Sequence, residues 1–439
     1  MTFNKRNGLL KILIKILELI IILLINYSIF SKPIKNIKVG IYTYSLKGGG
    51  TERLTALFLN YLSMESDFQI FLFSQKYKEK NEYIIPNTIK RTAIVGSNSL
   101  TKKLERHLMK KKIDVFIYQF PNGNEIRMLN KLKNIKIIVY SHFCFLTWIY
   151  YYRSLVFKDL YNSFKESKYI VSLVPFENDY VFKKWGINSI LINSLITYEY
   201  EQINPSDLSS KIILMIGRAH DRLKRFDLGI ESMKYILKEV PDCKMKIISN
   251  KDNILFELIK KLNLENEVEF IGYTAKPEEY FNNASLHIFP SVSESFGLVL
   301  CEVKTFGIPT ILTGLDFIPL SQGGTIIIYD DKPETIAKEA IKILTDNNYR
   351  KNLGNEARES MKQFKNRVTI KKWIKIINSV YYENGYYNNL TQQKPSITEI
   401  ESINIIKNQT KLLKKREPYF KNITTQLLLN FSYLENILT

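Results

Sequence analysis

Short apolar runs alternate with helix-length segments through most of the chain. Ile37–Tyr44 reads as a buried strand, followed by Gly48–Gly50 and a helix over Thr51–Ser63. Further strands are expected at Phe68–Ser74, Asp114–Tyr118, Ile135–Tyr140, 169–174 and 189–193, with helices over 101–112 and 154–166 between them. The alternation restarts with strands at Lys211–Ile216, Met245–Ser249, Val268–Ile271, Leu286–Phe289, Thr310–Thr313 and Thr325–Ile328. Helices are expected at Phe226–Val240, Ile254–Leu262, Gly297–Phe306, Glu334–Thr345 and 366–381, the last closing the second half. Strands alternating with helices predict two α/β halves, each built on a parallel, Rossmann-like sheet.

The pattern divides the chain into an N-terminal hydrophobic segment (1–35), a first domain (36–196), a polar linker (197–210), a second domain (211–383) and an extension (384–439). The extension has one helical stretch near 399–416 and reads as an add-on or partly disordered. Leu9–Phe30 is apolar except for Lys11, Lys15, Glu18 and the break Asn26–Ser28. As a helix it would reach roughly 30 Å, about the thickness of a bilayer core. Lys11, Lys15 and Glu18 share one helix face, so a spanning anchor, an interfacial helix and a helix packed on the domain all stay open.

Charge sharpens this picture. The net charge is +20 over 439 residues, with +12 in residues 36–196 and none in 197–383. Bias toward lysine is one explanation, but it does not account for a neutral second half. An anionic membrane surface fits an excess concentrated in the first domain, the rest lying in residues 1–35 (+5) and 384–439 (+3). Lys102, Arg106 and Lys110 recur on one face of the helix 101–112, with Leu104 and Leu108 off that stripe; this is either a membrane-facing surface or a solvated one. No nucleic-acid recognition motif is present. The three cysteines (Cys144, Cys243, Cys301) are far apart, which argues against a disulfide framework or a zinc site.

The chemistry concentrates in the second domain. Between the strand ending at Phe289 and the helix starting near Gly297 lie Glu294, Phe296, Gly297 and Leu298, with Glu302 on the helix. A helix N-terminus presents unpaired N–H groups and a positive dipole end, which suits a diphosphate, and two carboxylates beside it suit sugar and ribose hydroxyls. Gly217-Arg218, with Lys224 six residues on, places two cations in another loop at the carboxyl end of the same sheet. Both cations can neutralise a leaving diphosphate. GxGxxG is absent, so a nicotinamide cofactor is disfavoured, and Asp330-Asp331 reads as a turn and not a metal-binding DxD.

Gly217-Arg218…Lys224-Arg225-Phe226-Asp227, Phe270-Ile271-Gly272-Tyr273, Pro290-Ser291…Glu294-Ser295-Phe296-Gly297-Leu298…Glu302 and Gly307-Ile308-Pro309 together resemble glycosyltransferase family 4, a retaining family of the GT-B fold. The resemblance is strong over 212–345 and weak before. It implies two Rossmann-like domains facing a central cleft and a metal-independent hexosyltransferase with no cofactor besides its co-substrate, a nucleoside-diphosphate sugar. It also implies roles. Arg218 and Lys224 match diphosphate contacts, Glu294 the carboxylate near the transferred sugar, Glu302 the ribose contact, and the amides of Phe296, Gly297 and Leu298 the phosphate cradle. Lys47-Gly48-Gly49-Gly50-Thr51-Glu52-Arg53 is similar to the family's Gly-Gly-x-Glu-Arg loop on the acceptor and phosphate side, and Ser141-His142 resembles its active-site histidine. Read from the residues alone, His142 is equally a packed side chain at a strand end. The catalytic candidates are therefore Glu294, His142, Arg218 and Lys224.

The sequence departs from the family at Ile248-Ser249-Asn250-Lys251-Asp252, where a glycine-rich loop is usual, and at Val303, where alanine is common. The function expected is transfer of a sugar to a glycan or lipid-linked acceptor at a membrane, with the catalytic domains on the cytoplasmic side. The alternative is a non-catalytic GT-B subunit that binds a partner glycosyltransferase or glycan. Trp148–Tyr152 is either core or an apolar loop for such an acceptor.

Overall fold

The computed structural model describes residues 36–96, 100–119, 123–142, 155–183, 185–274, 276–391, 398 and 400–416. The apolar run 9–30, Cys144 and Trp148–Tyr152 lie outside them. Among the described residues no helix is long and apolar enough to cross a membrane.

Within these residues the chain builds two parallel sheets. The first joins β1 (Lys38–Thr43), β2 (Gln69–Ser74), β3 (Lys90–Ala93), β4 (Val115–Tyr118), β5 (Lys136–Tyr140), β6 (Tyr169–Ser172) and β7 (Ile190–Leu191) in the order β3-β2-β1-β4-β5-β6-β7. The second joins β8 (Ile212–Ile216), β9 (Lys244–Ile248), β10 (Val268–Phe270), β11 (Leu286–Phe289), β12 (Thr310–Thr313) and β13 (Thr325–Ile328) in the order β10-β9-β8-β11-β12-β13. β1 and β8 sit mid-sheet, covered on both faces, which is why both read as nearly unbroken apolar runs. In each sheet the order reverses beside the first strand, a switch point that opens a crevice at the carboxyl ends.

The helices follow the expected pattern. In the first half they are α1 (Gly50–Glu65), α2 (Leu100–Lys111), α3 (Gly123–Leu129) and α4 (Leu155–Glu166). In the second the longer ones are α5 (Phe226–Glu239), α6 (Asn253–Lys261), α7 (Leu298–Thr305), α8 (Pro333–Thr345), α9 (Asn347–Ser360) and α10 (Asn366–Tyr382), besides the single turn Glu278–Phe281. β3, α3 and α9 escape the sequence pattern: β3 is a polar edge strand, and α9 buries only Arg350, Leu353, Gly354 and Ala357.

Two segments sit differently from expectation. The polar residues 197–210 are bonded in place: Ser206 donates from its amide to the Phe306 carbonyl (2.7 Å) and from its hydroxyl to the Ala284 carbonyl (2.9 Å). Helix α10, expected to close the second half, crosses back and packs on α1 of the first. Its buried face is Trp373, Ile376, Ile377 and Val380, a spacing that lines one side of a helix. Trp373 meets Phe58 and Tyr140 edge-on at 5.0 and 4.8 Å between ring centroids. Beyond it the Tyr387 hydroxyl donates to the Ile170 carbonyl at 2.9 Å, fastening the chain to β6.

The helical segment 400–416 of the extension docks on the second domain. Arg416 is buried and forks onto Asp331 at 2.8 and 2.9 Å, while Arg225 reaches the same carboxylate at 3.1 Å. Burial raises the Asp331 carboxyl, but Arg416 and Arg225 outweigh it and hold the group below its ordinary value. Its contribution to stability is therefore present above the ordinary carboxyl range and is lost as pH falls through the depressed value.

Trp373→Ala should empty a space between α10, α1 and β5 and cost about 3–5 kcal/mol. Urea unfolding followed by circular dichroism should show a lower midpoint; an unchanged midpoint would mean that α10 does not hold the first domain together.

Candidate functional site

The carboxyl ends of the two sheets bring together loops from both domains. After β8, Gly217 (φ 150°) turns the chain into the segment that carries Arg218 and Lys224. After β11, residues 290–297 lead into α7. The two loops are laced together, since the Val292 amide donates to the Leu223 carbonyl (2.9 Å).

This lacing sets the Lys224 ammonium on the Glu294 carboxylate, a mostly buried ion pair. The Ser291 hydroxyl donates to Glu294 Oε1 (3.0 Å). Gly297 caps α7 with φ 85° and ψ 61°, a left-handed conformation that glycine adopts without Cβ strain. Among the described residues no acceptor takes the amides of Phe296, Gly297 or Leu298. Phe296 itself is buried, edge-on to Phe364. Arg218 is largely exposed, with Asp221 at 3.0 Å as its partner.

The first domain supplies the facing wall. Gly48 has φ 86°, and α1 starts at Gly50 with Gly49 as its cap and no side-chain cap bond. The Glu52 side chain folds over Gly49, where a Cβ would come within 1.9 Å of its carboxylate. A Cβ on Gly50 would sit 3.4 Å from Leu298 Cδ1, so the starts of α1 and α7 approach across the cleft. Burial raises the Glu52 carboxyl, and its own backbone hydrogen bond and the Arg218 charge work against that rise.

One turn into α1, Arg53 crosses to Glu302 on α7. Glu302 is 3% exposed, and the same Oε1 accepts from the Thr197 hydroxyl at 2.7 Å. Burial opposes the Arg53 charge, but Glu302 and Tyr83 overcome it and hold the guanidinium above its ordinary value. Glu302 Oε2 takes no donor among the described residues, so one oxygen is held by protein and the other is left for a hydroxyl.

His142 follows β5. Its Nε2 lies 3.0 Å from Gln119 Oε1. The Gln119 amide donates to the Tyr42 carbonyl (3.1 Å), which turns its oxygen toward His142; His142 Nε2 is therefore the donor, leaving Nδ1 with a lone pair. Burial pushes the imidazole down to about 3, so it is neutral at physiological pH. Its described partners, Gln119 and Tyr140, belong to the first domain.

The structure thus joins Lys224 to Glu294 and Glu302 to Arg53, and sets Gly50 against Leu298. It places Arg218 at the rim and His142 on the first-domain side. Thr197, Gln119 and Lys304 were not legible beforehand. Lys304 on α7 is fully buried, donates to the Leu320 carbonyl (2.8 Å) and to that of Gln322, and is pushed down to about 7 by burial. A lysine within an otherwise apolar helix face was the available signal. Among the described residues no group of three or more His, Cys, Asp or Glu side chains could hold a metal ion.

The family of glycosyl transferases group 1 matches residues 197–360. That segment is similar to group 1 glycosyl transferases. N-acetyl-alpha-D-glucosaminyl L-malate synthase of Bacillus anthracis is 31% identical over 192 residues, 42% of this chain and about half (48%) of that relative. The N-acetylgalactosamine-N,N'-diacetylbacillosaminyl-diphospho-undecaprenol 4-alpha-N-acetylgalactosaminyltransferase of Campylobacter jejuni is 26% identical, over 60% of this chain and 77% of its own. The crystal structure of Anabaena HepE with UDP and glucose superposes with a TM-score of 0.61 at 12% identity, covering 78% of this chain and all of HepE. At that identity the likeness shows the fold, which is GT-B. The matched segment carries the Lys224–Glu294 pair and the open N-terminus of α7, while the facing sheet carries Arg53, Glu52 and His142.

Arg53→Ala should strand Glu302 without its cation, a loss of about 3–5 kcal/mol for a buried pair. Glu302→Gln should tolerate the same change better, so a thermal-unfolding double-mutant cycle should give a coupling energy of about 0.5–3 kcal/mol. Additive effects would show that the two domains are not joined through this pair.

Proposed function

We propose that the chain is a retaining, metal-independent glycosyltransferase that moves a hexosyl unit from a nucleoside-diphosphate sugar to a glycan or lipid-linked acceptor. The observation that carries this reading is the convergence of the Lys224–Glu294 pair with the unpartnered amides at the start of α7. A diphosphate there meets an ammonium, a helix N-terminus and, at the rim, Arg218. Glu302 Oε2 would take ribose hydroxyls and Glu294 the transferred sugar. The UDP in HepE and the diphospho-undecaprenol named for the Campylobacter relative support a nucleotide donor and a lipid-linked acceptor.

In the reaction the bond between the anomeric carbon and the diphosphate oxygen breaks, and its electron pair leaves with the diphosphate. Lys224, Arg218 and the α7 amides stabilise that charge. The acceptor hydroxyl attacks from the same face and passes its proton to the departing phosphate oxygen. Neutral His142, a donor through Nε2 to Gln119, serves as a positioning group on the first-domain side. The rival reading, a non-catalytic GT-B subunit, gives no use for a cation and a carboxylate paired beneath an open helix end.

We further infer that the enzyme works at an anionic leaflet, with its catalytic domains on the cytoplasmic side. Leu104 and Leu108 are buried on α2, while Lys102, Arg106 and Lys110 face outward. Basic residues near such a surface are worth about 1 kcal/mol each.

With excess EDTA and the matching sugar nucleotide, the wild-type chain should retain transfer, and Lys224→Ala should lose it by roughly 100-fold, about 2.7 kcal/mol of transition-state stabilisation. Loss in EDTA that Mn²⁺ or Mg²⁺ restores, or a Lys224→Ala variant within about twofold of wild type, overturns the mechanism.

Sedimentation with anionic vesicles should be salt-sensitive, and charge reversal of Lys102, Arg106 and Lys110 to Glu should weaken it. Binding unchanged by the reversal would assign membrane attachment elsewhere.

A further inference from the structure

A cavity of about 500 Å³ lies where three parts of the chain meet: Phe176 beyond β6, the segment 316–322 beyond β12, and the helical segment 400–416. That volume is within the range of small-molecule sites, about 300–1,000 Å³. Its position is informative. It opens at the carboxyl ends of β6, β12 and β13, where ligands bind in such sheets. Its wall residue Ile318 lies 3.5 Å from where a Cβ on Gly297 would stand, so only one side chain separates the cavity from the α7 cap.

The lining is chemically unlike the neighbouring diphosphate cleft. No lysine or arginine is among the described lining residues, in a chain whose net charge is +20. The polar groups are instead two carboxylates (Asp316 and Glu401), amides, the Ser321 hydroxyl and a phenol. Asp316 is held by three uncharged donors: Gln409 Nε2 (2.6 Å), the Tyr329 hydroxyl (2.9 Å) and Asn408 Nδ2 (3.3 Å). Asn404 and Gln322 line the space with side chains that make no hydrogen bond to the described residues. Phe176 and Phe317 add an aromatic floor, their ring centroids 6.3 Å apart. Without a cation the site repels phosphate and carboxylate, and with carboxylates, amides and aromatic faces it matches the hydroxyls and apolar faces of an uncharged pyranose.

The wall is also held firmly. Lys304 ties the carbonyls of Leu320 and Gln322 to α7, and the Arg416–Asp331 fork fixes the end of 400–416. We propose that this cavity binds a neutral sugar unit of the acceptor, with the C-terminal segment supplying part of the recognition through Asn404 and Asn408. This rests on the glycosyltransferase reading, and it gives the extension a role in choosing the acceptor.

Saturation-transfer difference NMR on the full chain tests it, with methyl α-glucopyranoside, N-acetylglucosamine and glucuronate as probes, each with and without excess UDP. At least one neutral sugar should receive saturation, glucuronate should not, and the signal should persist in UDP. Asn404→Trp should fill the cavity and reduce the signal at least fivefold. Tyr329→Phe, which removes one donor to Asp316, should weaken it and guards against a folding defect in the first variant. Silence from both neutral sugars, equal saturation of glucuronate, competition by UDP, or a signal unchanged in Asn404→Trp each overturns the assignment. A thermal-shift response to UDP on the same samples keeps the two readings apart: its absence in the wild type sinks the donor site, whereas its presence with silent sugars sinks only the acceptor cavity.

Discussion

A carboxylate almost sealed from water has to find a cation, and Glu302 finds one in the other domain. Glu302 belongs to α7 of the second sheet and Arg53 to α1 of the first, so satisfying the buried charge sets the carboxyl ends of the two sheets face to face. The rest of the site inherits this constraint. With α1 and α7 joined one turn in from their starts, Gly50 at the start of α1 comes against the Leu298 side chain at the start of α7. Thr197, at the crossing between domains, binds the same carboxylate oxygen and brings the connecting chain under the same control.

A division of charge follows. Cations and open amides gather at the beginning of α7, while the space beyond Ile318 contains acids, amides and aromatic rings. Such a division lets one enzyme treat a charged donor and an uncharged acceptor unit by different physics within a short distance. Lys304 sits between the two regions, on the helix whose start faces the donor and bonded to the loop that walls the cavity.

Much of this was legible in the sequence. The strands at β8, β11 and β12 were plain, because central parallel strands are apolar on both faces, and Glu294, Gly297, Arg218 and Lys224 stood out as chemistry at strand ends. β3 and α9 were not legible, since each has little apolar content to give a period. The partners of Arg53 and Asp331 were hidden for another reason. Arg53 and Glu302 are 249 positions apart, and Arg416 and Asp331 85 apart; no local pattern encodes a pairing that only the packed domains create. For the same cause 366–381 looked like the end of the second half: its apolar stripe announces a buried face without saying which sheet it covers.

The return of α10 to the first domain has a consequence for how the protein is made. Phe58 and Tyr140 are in place early in synthesis, but Trp373, which covers both, leaves the ribosome only after the entire second domain. Domains made first usually fold first. Until then the earlier half keeps an apolar face uncovered, and the later half in turn waits for Arg416 to reach Asp331. Neither half can therefore finish burying its apolar surface until synthesis has passed the segment that covers it.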